Sequence, residues 1–319
     1  MDTALLFRRD AVEEIEDWAD STPRLPRSSV LWIDLERPSE ADAERLGRVL
    51  GLSDTSVAAL SSRSGRQTDF ADFENYLHVG MWAPTRDGEL TRVTCLVADR
   101  WVVTVRDGPL EVVETFRERA SGSGDLGRLE GLEFLATLFE WVLGGYLAAF
   151  ERIEVVLEEI DTRAMSGELK DRSDLIAQLV DVRRHIGRLR RALASHRETV
   201  LALTRPELEA ISSSHSAERF GRLRERLEEA IQAARDSRES VVGSFDVIIA
   251  STGQRTNDIM KVLTLVSVLI LPGALLAGVM GMNFRLGVFD HAVYFWVVVA
   301  AMVAFAAGTL VVARMRDWL

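Results

Sequence analysis

Two long apolar segments near the C-terminal end are the clearest feature of the hydrophobic pattern in this chain. One runs from Val262 to Met280 and the other from Ala292 to Ala313, and neither contains a charged residue. A helix needs about 20 apolar residues to cross the hydrocarbon core of a bilayer. Buried core helices rarely run so far without a charge, so the pattern predicts a membrane hairpin of two spanning helices.

Basic residues flank the outer ends of this hairpin. Arg255 and Lys261 precede the first span, Arg314 and Arg316 follow the second, and the connector between the spans carries only Arg285. Cytoplasmic flanks of membrane helices are enriched in lysine and arginine. We therefore expect both chain termini in the cytoplasm and the connector outside.

The remainder of the chain has the periodicity of an α+β domain followed by long helices. A capping pattern at Ser39 and Asp42 opens one short helix, which stops at Gly51. We interpret the strands as an antiparallel meander covered by helices. The predicted elements are strands at 30–35, 76–83, 90–98 and 101–105, and helices at 39–50, 54–61, 111–119, 130–165 and 171–204, with a flexible break at 121–124.

The last predicted helix is the longest. From Ala217 to Met280 the only helix breaker is Pro272, so the helix merges with the first span. Its length is then roughly 95 Å, that of a stalk leading into the membrane. The segments expected are an N-terminal domain (1–109), antiparallel long helices (110–214), stalk and first span (215–280), outer connector (281–291), second span (292–313) and cytosolic tail (314–319).

Composition narrows the classes of function. The net charge of −11 argues against a nucleic-acid partner and for tolerance of cations, and the single cysteine, Cys95, excludes an intrachain disulfide. The first residues lack the apolar core and cleavage site of a signal peptide. No catalytic or metal-ligand spacing is recognisable, and the five histidines are scattered. We expect no enzyme activity and no cofactor, and we expect His185 and His196, which could share a helix face, to lie on the surface.

The first span carries small and polar side chains on one face, at spacings of three or four residues. Such a face occurs where membrane helices pack, and it can also form the wall of a pore when several copies surround an axis. Uncharged oxygens suit a strongly hydrated ion such as Mg²⁺, which gives up its water reluctantly. The residues of this face are Asn257, Met260, Thr264, Ser267, Leu271, Ala274 and Gly278, with Gly281 following.

The segments around this face resemble the CorA family of divalent-cation channels. The resemblance rests on RTNDIMKVLT at 255–264, Pro272, GMNF at 281–284 and Trp318-Leu319 at the C-terminus, with FENY at 73–76 in the first domain. It extends over the whole chain and implies a funnel-shaped homopentamer in the plasma membrane, with five stalk helices around one axis.

The resemblance also implies roles for individual residues. Asn283 forms the outer selectivity ring for hydrated Mg²⁺, and Gly281 and Met282 shape its turn. Met260 and Leu263 act as a hydrophobic gate. The other implied pore positions are Asn257 in the cytoplasmic part, Ala274 and Gly278 nearer the outside, and Asp246 as an acidic ring at the inner mouth.

Two departures from the family pattern concern gating and the ion. The family senses internal Mg²⁺ with two aspartates between subunits, and ungapped counting places Leu60 and Arg222 at those positions. The second departure is the loop after Asn283, where the family's Mg²⁺ members typically carry a Met-Pro-Glu-Leu-like acidic element. Here the loop has one acidic residue, Asp290, and one basic residue, Arg285.

A channel for Mg²⁺, with Co²⁺ or Ni²⁺ as further ions, is the first interpretation. A zinc transporter of the ZntB type, coupled to protons, and a non-conducting membrane-anchored coiled-coil scaffold are the alternatives. The physiological ion, the energy coupling, the gating ligand and the subunit number stay open at this point. The partners expected are the lipid bilayer, divalent cations and further copies of this chain.

Overall fold

The computed structural model describes residues 3–8, 11–15, 29–61, 70–122, 129–166, 172–203, 214–282 and 292–316. The chain divides into two compact units. The first comprises residues 1–160 and 170–244, and the second comprises residues 161–169 and 245–319.

The described strands form one seven-stranded mixed sheet, in the order β2-β1-β3-β7-β6-β5-β4. Strands β3 and β7 are parallel, and all the other neighbouring pairs are antiparallel. The strands are β1 (Thr3–Arg8), β2 (Ala11–Glu14), β3 (Ser29–Glu36), β4 (Phe70–Phe73), β5 (Tyr76–Pro84), β6 (Leu90–Ala98) and β7 (Trp101–Arg106).

The predicted meander is confirmed for β5, β6 and β7, but the sheet as a whole is not antiparallel. The meander returns β7 alongside β3 in the same direction, with Leu31 opposite Trp101. Strands β1, β2 and β4 were not predicted. Both β2 and β4 are four-residue strands at the two edges of the sheet, so they lack the long alternating pattern of a half-buried strand.

All the predicted helices are present. They are α1 (Glu40–Leu50), α2 (Asp54–Ser61), α3 (Glu111–Gly122), α4 (Gly131–Ser166), α5 (Arg172–Leu203), α6 (Ser214–Met280) and α7 (Ala292–Met315). Helix α3 includes Ser121 and Gly122, which we predicted to be part of a flexible break. The rest of that break lies outside the described residues.

Local chemistry explains both ends of α1. The Ser39 hydroxyl accepts a hydrogen bond from the Asp42 backbone N–H at 3.2 Å, and the Asp42 carboxylate accepts one from the Ser39 N–H at 3.0 Å. This reciprocal pair satisfies backbone donors that have no partner within the helix. Gly51 ends the helix in the left-handed region, with φ 66°, a conformation that glycine adopts without a Cβ clash.

The sheet is covered on both faces. On one face, Leu46 of α1 and Leu60 of α2 pack in a cluster with Leu31 and Ile33 of β3. On the other face, an aromatic cluster joins Trp32 to Phe116 and Phe134, with ring centroids 5.5 Å and 5.3 Å away. The first unit is therefore a helix–sheet–helix sandwich, in agreement with the predicted α+β class.

An ion pair lies inside this sandwich and joins the two parallel strands. Arg106 Nε donates to Asp34 Oδ2 at 3.2 Å, and both side chains are 1% exposed. The Thr104 hydroxyl donates to Asp34 Oδ1 at 2.6 Å, and Trp32 Nε1 donates to that hydroxyl at 3.0 Å. The carboxylate therefore has a hydrogen-bond donor on each oxygen.

The start of α4 is held against the turn between β6 and β7. The Gly131 N–H donates to the Asp99 carbonyl at 2.9 Å. A Cβ at position 131 would lie 1.9 Å from the Ala98 carbonyl oxygen, so only glycine allows this approach.

Candidate functional site

Within the described residues, three helices are long and apolar enough to cross a membrane, judged by length and composition. They are found at 131–166, 218–280 and 295–315. The apolar window of α4 is 61% buried, because it packs in the core of the first unit, whereas the windows of α6 and α7 are 6% and 0% buried. Helix α4 is therefore a core helix, and α6 and α7 remain as the predicted pair of spans.

Helix α7 covers one side of the spanning part of α6. A Cβ added at Gly273 would lie 3.1 Å from the terminal methyl of Met302 on α7. On the same side of α6, Leu265 is buried, and Leu269 and Pro272 are half-buried. This side belongs to the packing of the hairpin itself.

The predicted pore face lies on the opposite side of α6. Successive residues of an α-helix are rotated by about 100°, so Leu263, Ser267 and Ala274 point away from Leu265. The side chains of this face are exposed in the structure. The positions directed away from α7 are Met260, Leu263, Ser267, Leu271, Ala274 and Gly278, and Asn257 and Thr264 lie at one flank of the same face.

Two hydroxyl groups in this region bond to their own helix. The Thr264 hydroxyl donates to the Met260 carbonyl oxygen at 2.7 Å, and the Ser267 hydroxyl donates to the Leu263 carbonyl oxygen at 2.8 Å. Bonds of this kind satisfy the hydroxyl hydrogen inside an apolar environment. The oxygen keeps its lone pairs, so each hydroxyl can still accept a hydrogen bond.

The residues expected at the inner end of the pore are accessible. Asn257 and Asp246 are exposed on α6, as is Asp258, which lies next to Asn257. The Asp258 carboxylate pairs with Lys261 at 2.9 Å. This pair reduces the net charge where the helix enters its apolar segment.

Helix α6 ends at the predicted tripeptide. The Gly281 N–H donates to the Ala277 carbonyl at 2.9 Å, and the Met282 N–H donates to the Val279 carbonyl at 3.2 Å. These two residues therefore close the last turn of the helix, and Met282 is exposed. Asn283, predicted to form the selectivity ring, and the loop with Arg285 and Asp290 lie outside the described residues.

Of the two positions that depart from the family pattern, one is in the core and the other forms an ion pair on α6. Leu60 is buried in the core cluster under α2. Arg222 lies on α6 and pairs with Glu218 at 2.9 Å.

On α4, partial burial raises the pKa of Glu140, while the Arg222 and Arg219 guanidinium groups of α6 lower it. Sequence reasoning did not find Glu140, because its partners are on a different helix.

The described histidines give no metal site, and the described residues contain no group of three or more His, Cys, Asp or Glu side chains placed to hold a metal ion. The prediction of a surface position is wrong for His196, which is buried, and His78 on β5 is buried as well. His185 is half-buried, and His215 and His291 carry no described side chain.

The fold and the site together define a protein with a large α+β domain followed by two candidate membrane spans, the first of which has an exposed face of small, polar and apolar residues. A family model described as "CorA-like Mg2+ transporter protein" matches residues 27–314. The chain belongs to this family, as the resemblance predicted.

Individual relatives agree with this assignment. The cobalt/magnesium transport protein CorA of Thermotoga maritima is 22% identical, over 98% of this chain and 88% of that protein. The structure of the CorA magnesium transporter from Methanocaldococcus jannaschii superposes with a TM-score of 0.77 at 18% identity, covering 100% of this chain and 99% of that chain. The cytoplasmic domain of ZntB from Vibrio parahaemolyticus superposes with a TM-score of 0.58 at 14% identity, covering 79% of this chain and 98% of that chain.

Proposed function

We propose that the protein is a membrane channel for divalent cations, with Mg²⁺ as its principal ion and Co²⁺ or Ni²⁺ as further ions. The observation that carries this proposal is the exposed face of α6, which is directed away from α7 and contains hydroxyl, amide and small side chains together with the apolar Met260, Leu263 and Leu271. Membership of the family supports the same function. The relative from Thermotoga maritima is named a cobalt/magnesium transport protein.

A pore requires several copies of this face. One helix cannot enclose a path for an ion, and the exposed face of α6 has no covering element within the described residues. We infer a homopentamer in which five copies of α6 surround one axis, with α7 on the outside. In that arrangement Thr264, Ser267, Ala274 and Gly278 line the path.

The absence of charge along this path suits an ion that keeps its water. Between Val262 and Met280 the chain has no acidic side chain that could bind Mg²⁺ directly. Mg²⁺ loses its hydration shell reluctantly, so we propose that it passes hydrated, with Asn283 as the outer ring and Gly281 and Met282 forming its turn. Asp246 attracts cations at the inner mouth.

An apolar constriction supplies the gate in this proposal. Met260 and Leu263 lie about one turn apart on the exposed face and are 53% and 57% exposed in the single chain. Rings of such side chains close a pore by excluding water. Asn257 lies at the cytoplasmic end of this constriction.

The direction of insertion follows from the flanking residues. Lys261 and Arg314 lie at the two ends of the hairpin that are continuous with the large domain and the C-terminus. At the opposite end, Phe295 and Trp296 are exposed on α7, as is common for aromatic side chains at a membrane interface. We propose a plasma-membrane protein with both termini in the cytoplasm.

A zinc transporter of the ZntB type, coupled to protons, is the second candidate. The loop after Asn283 favours it, because Asp290 is the one acidic residue there; the ZntB cytoplasmic domain shares the fold of the first domain. The two candidates differ in their ion and in their dependence on a proton gradient.

The proposed function is tested by ion influx into proteoliposomes containing the full chain. Mg²⁺ and Zn²⁺ dyes report entry with and without a pH gradient, for the wild type and for Asn283→Ala. We expect Mg²⁺ entry that does not depend on the pH gradient, and a change of about tenfold in its rate or selectivity in Asn283→Ala, since each subunit loses one amide hydrogen-bonding group.

Thr309→Val is the matched control. Thr309 lies on α7, where its hydroxyl bonds to the Phe305 carbonyl at 2.9 Å, and this variant should transport like the wild type. Zinc entry that rises with the proton gradient would move the protein to the second candidate. Absence of flux for both ions would favour a non-conducting scaffold.

A further inference from the structure

A cavity of about 530 Å³ lies within the first unit, where the end of β5 and the turn after it meet α3, α4 and α6. Its volume falls in the range of about 300–1,000 Å³ that is usual for sites that bind small organic molecules. Several lining residues are exposed, so the cavity is reached from solvent. Three arginines and two glutamates line it, so positive charge is in excess.

The three arginines come from three different elements. Arg86 lies in the turn between β5 and β6, Arg152 on α4 and Arg226 on α6. The Arg226 guanidinium pairs with the Glu229 carboxylate at 2.7 Å. Among the residues that the structure describes, neither Arg86 nor Arg152 forms an ion pair with a carboxylate. Two guanidinium groups at the cavity are therefore available to an anion, and a third lies on the opposite helix.

The cavity also has an aromatic wall. Trp141 of α4 lines it and is half-buried. The Arg119 guanidinium lies over the indole ring at 5.0 Å from its centroid, and Phe116 meets the ring edge-on at 5.9 Å. These contacts fix the orientation of the ring. Glu140 and Thr115 line the same cavity and are half-buried, so polar groups are available to the edge of a flat ligand that stacks on the indole.

Two consecutive glycines follow Trp141 in the middle of α4, where glycine is less stable than alanine. A Cβ at Gly145 would lie 3.4 Å from Pro84, so this glycine packs closely against β5. Gly144 lines the cavity, and a Cβ there would meet no atom within 4 Å. Its described neighbours therefore do not require a glycine at position 144. The missing side chain leaves the space beside Trp141 open.

We propose that this cavity binds a nucleoside phosphate, with its phosphate groups on Arg86, Arg152 and Arg226 and its base against Trp141 beside Gly144. Guanidinium groups bind phosphate oxygens through paired, charge-assisted hydrogen bonds. Aromatic side chains stack on any nucleobase. The site uses only residues of the first unit, so it does not depend on the proposed path for ions.

The test is isothermal titration calorimetry of the full chain in detergent, with ATP, inorganic triphosphate and adenosine in metal-free buffer. We expect the wild type to bind ATP at least tenfold more tightly than either of the other two compounds. Arg152→Gln should weaken ATP binding at least tenfold, because one charged hydrogen-bonding group is lost. Gly144→Leu should abolish binding by filling the cavity.

Arg184→Gln is the matched control. Arg184 is an exposed arginine on α5 that pairs with Asp181 at 3.1 Å, so this variant loses one positive charge away from the cavity. It should bind ATP within about twofold of the wild type. Size-exclusion chromatography checks that each variant keeps the assembly of the wild type. If Gly144→Leu does not fold, the comparison of Arg152→Gln with Arg184→Gln decides the question.

Tighter binding of ATP together with its loss in Arg152→Gln and Gly144→Leu supports the inference. Triphosphate that binds as tightly as ATP overturns it, because the ring then has no partner. Equal ATP affinity in the wild type and in a folded Gly144→Leu overturns it as well, since the ligand must then bind elsewhere, and so does a wild type that binds no ATP. The measurement needs no ion flux, so the inference can fail while the proposed function stands.

Discussion

At the scale of single residues, two side chains bond to the backbone of Trp82 on the side of β5 that faces away from β6. Within the described residues, strand β4 pairs with β5 from Tyr76 to Val79, and no described strand reaches the backbone of Trp82 on that side. His196 Nε2 accepts a hydrogen bond from the Trp82 N–H at 2.8 Å, and the Tyr146 hydroxyl donates to the Trp82 carbonyl at 2.8 Å. The two long helices α4 and α5 are thereby attached to the open edge of β5.

The charge of His196 is determined by this position. Because the ring accepts a hydrogen bond through Nε2, it is neutral and carries its hydrogen on Nδ1. The ring packs edge-on against Phe139 and Tyr146, with centroids 5.1 Å and 5.5 Å away. Complete burial lowers the pKa of His196 to about 3, so protonation of the folded protein is strongly opposed.

This pKa predicts an acid-sensitive fold. The unfolded chain binds a proton at His196 below about pH 6.5 while the folded chain does not, so the free energy of unfolding falls with decreasing pH between about 6.5 and 3, by roughly 1.4 kcal/mol per pH unit. His196→Gln can still accept from the Trp82 N–H through its amide oxygen but does not titrate. Denaturant unfolding in detergent across this pH range should therefore give a shallower slope for His196→Gln than for the wild type.

His185→Gln is the control. His185 is half-buried on the same helix, and partial burial lowers its pKa as well. Its removal should alter the slope less than removal of the fully buried His196. Equal slopes for the wild type and His196→Gln would contradict the assigned charge.

Residues that interact over short distances along the chain could be predicted, and those that interact over long distances could not. The capping pair Ser39 and Asp42 is three residues apart and was predicted correctly. His196 and Trp82 are 114 positions apart. No local pattern distinguishes a histidine that will meet an open strand edge from one that will meet water, so His196 was wrongly expected at the surface.

At the scale of elements, the pair of Asp34 and Arg106 ties β3 to β7. Burial raises the pKa of Asp34, and the Arg106 guanidinium lowers it. Removing one partner from a buried pair leaves an uncompensated charge, so we expect Arg106→Met to cost about 3–5 kcal/mol in the free energy of unfolding. The free energy of that variant should also fall as pH rises, because the buried Asp34 then holds a proton that the unfolded chain releases.

The double variant Asp34→Asn with Arg106→Met removes both charges and keeps an acceptor for the Thr104 hydroxyl. It should recover at least half of the free energy of unfolding that Arg106→Met loses. Because asparagine does not titrate, position 34 should no longer make that free energy depend on pH. Chemical denaturation in detergent measures both quantities. A double variant as unstable as Arg106→Met would mean that other contacts of Arg106, among them its ion pairs with Glu36 and Glu114 at 3.6 Å, and not its pair with Asp34, stabilise this part of the sheet.

The helices could be predicted because each shows its own period of hydrophobic positions, and α6 was correctly expected to continue to Met280 through Pro272. The pairing of β3 with β7 is a different matter, since it joins strands separated by two helices and three strands. For the candidate site, helical spacing was sufficient to group Ser267 with Ala274 and Gly278. The side that meets α7 depends on Gly273 and Met302, which are on different helices, so it could not be predicted.

At the scale of the whole molecule, Leu60 and Arg222 bear on whether internal Mg²⁺ regulates the protein, because ungapped counting places them at the family's Mg²⁺-sensing positions. Leu60 is an apolar core residue, and the Arg222 guanidinium is cationic and paired with Glu218. Neither can offer the oxygen ligands that Mg²⁺ requires. We therefore expect millimolar Mg²⁺ on the cytoplasmic side to change the conductance by less than about twofold.

Currents in excised membrane patches, with and without Mg²⁺ on the cytoplasmic face, test this expectation. Arg222→Ala is the matched variant, because it removes the guanidinium without adding a ligand, and it should be equally insensitive. Closure of the wild type at millimolar Mg²⁺ would contradict the prediction. Closure of Arg222→Ala alone would identify the arginine as the element that blocks sensing.

The burial of α4 has a consequence for the synthesis of this protein. Helix α4 has the length and hydropathy of a membrane segment, and it leaves the ribosome well before α6 and α7. Its apolar side, which includes the fully buried Phe139, packs in the core of the first unit, so we expect α4 to avoid insertion only if it docks before the insertion machinery binds it. A third inserted helix would reverse the orientation of everything that follows, so we expect variants that slow the folding of the first unit to yield some chains with an inverted hairpin.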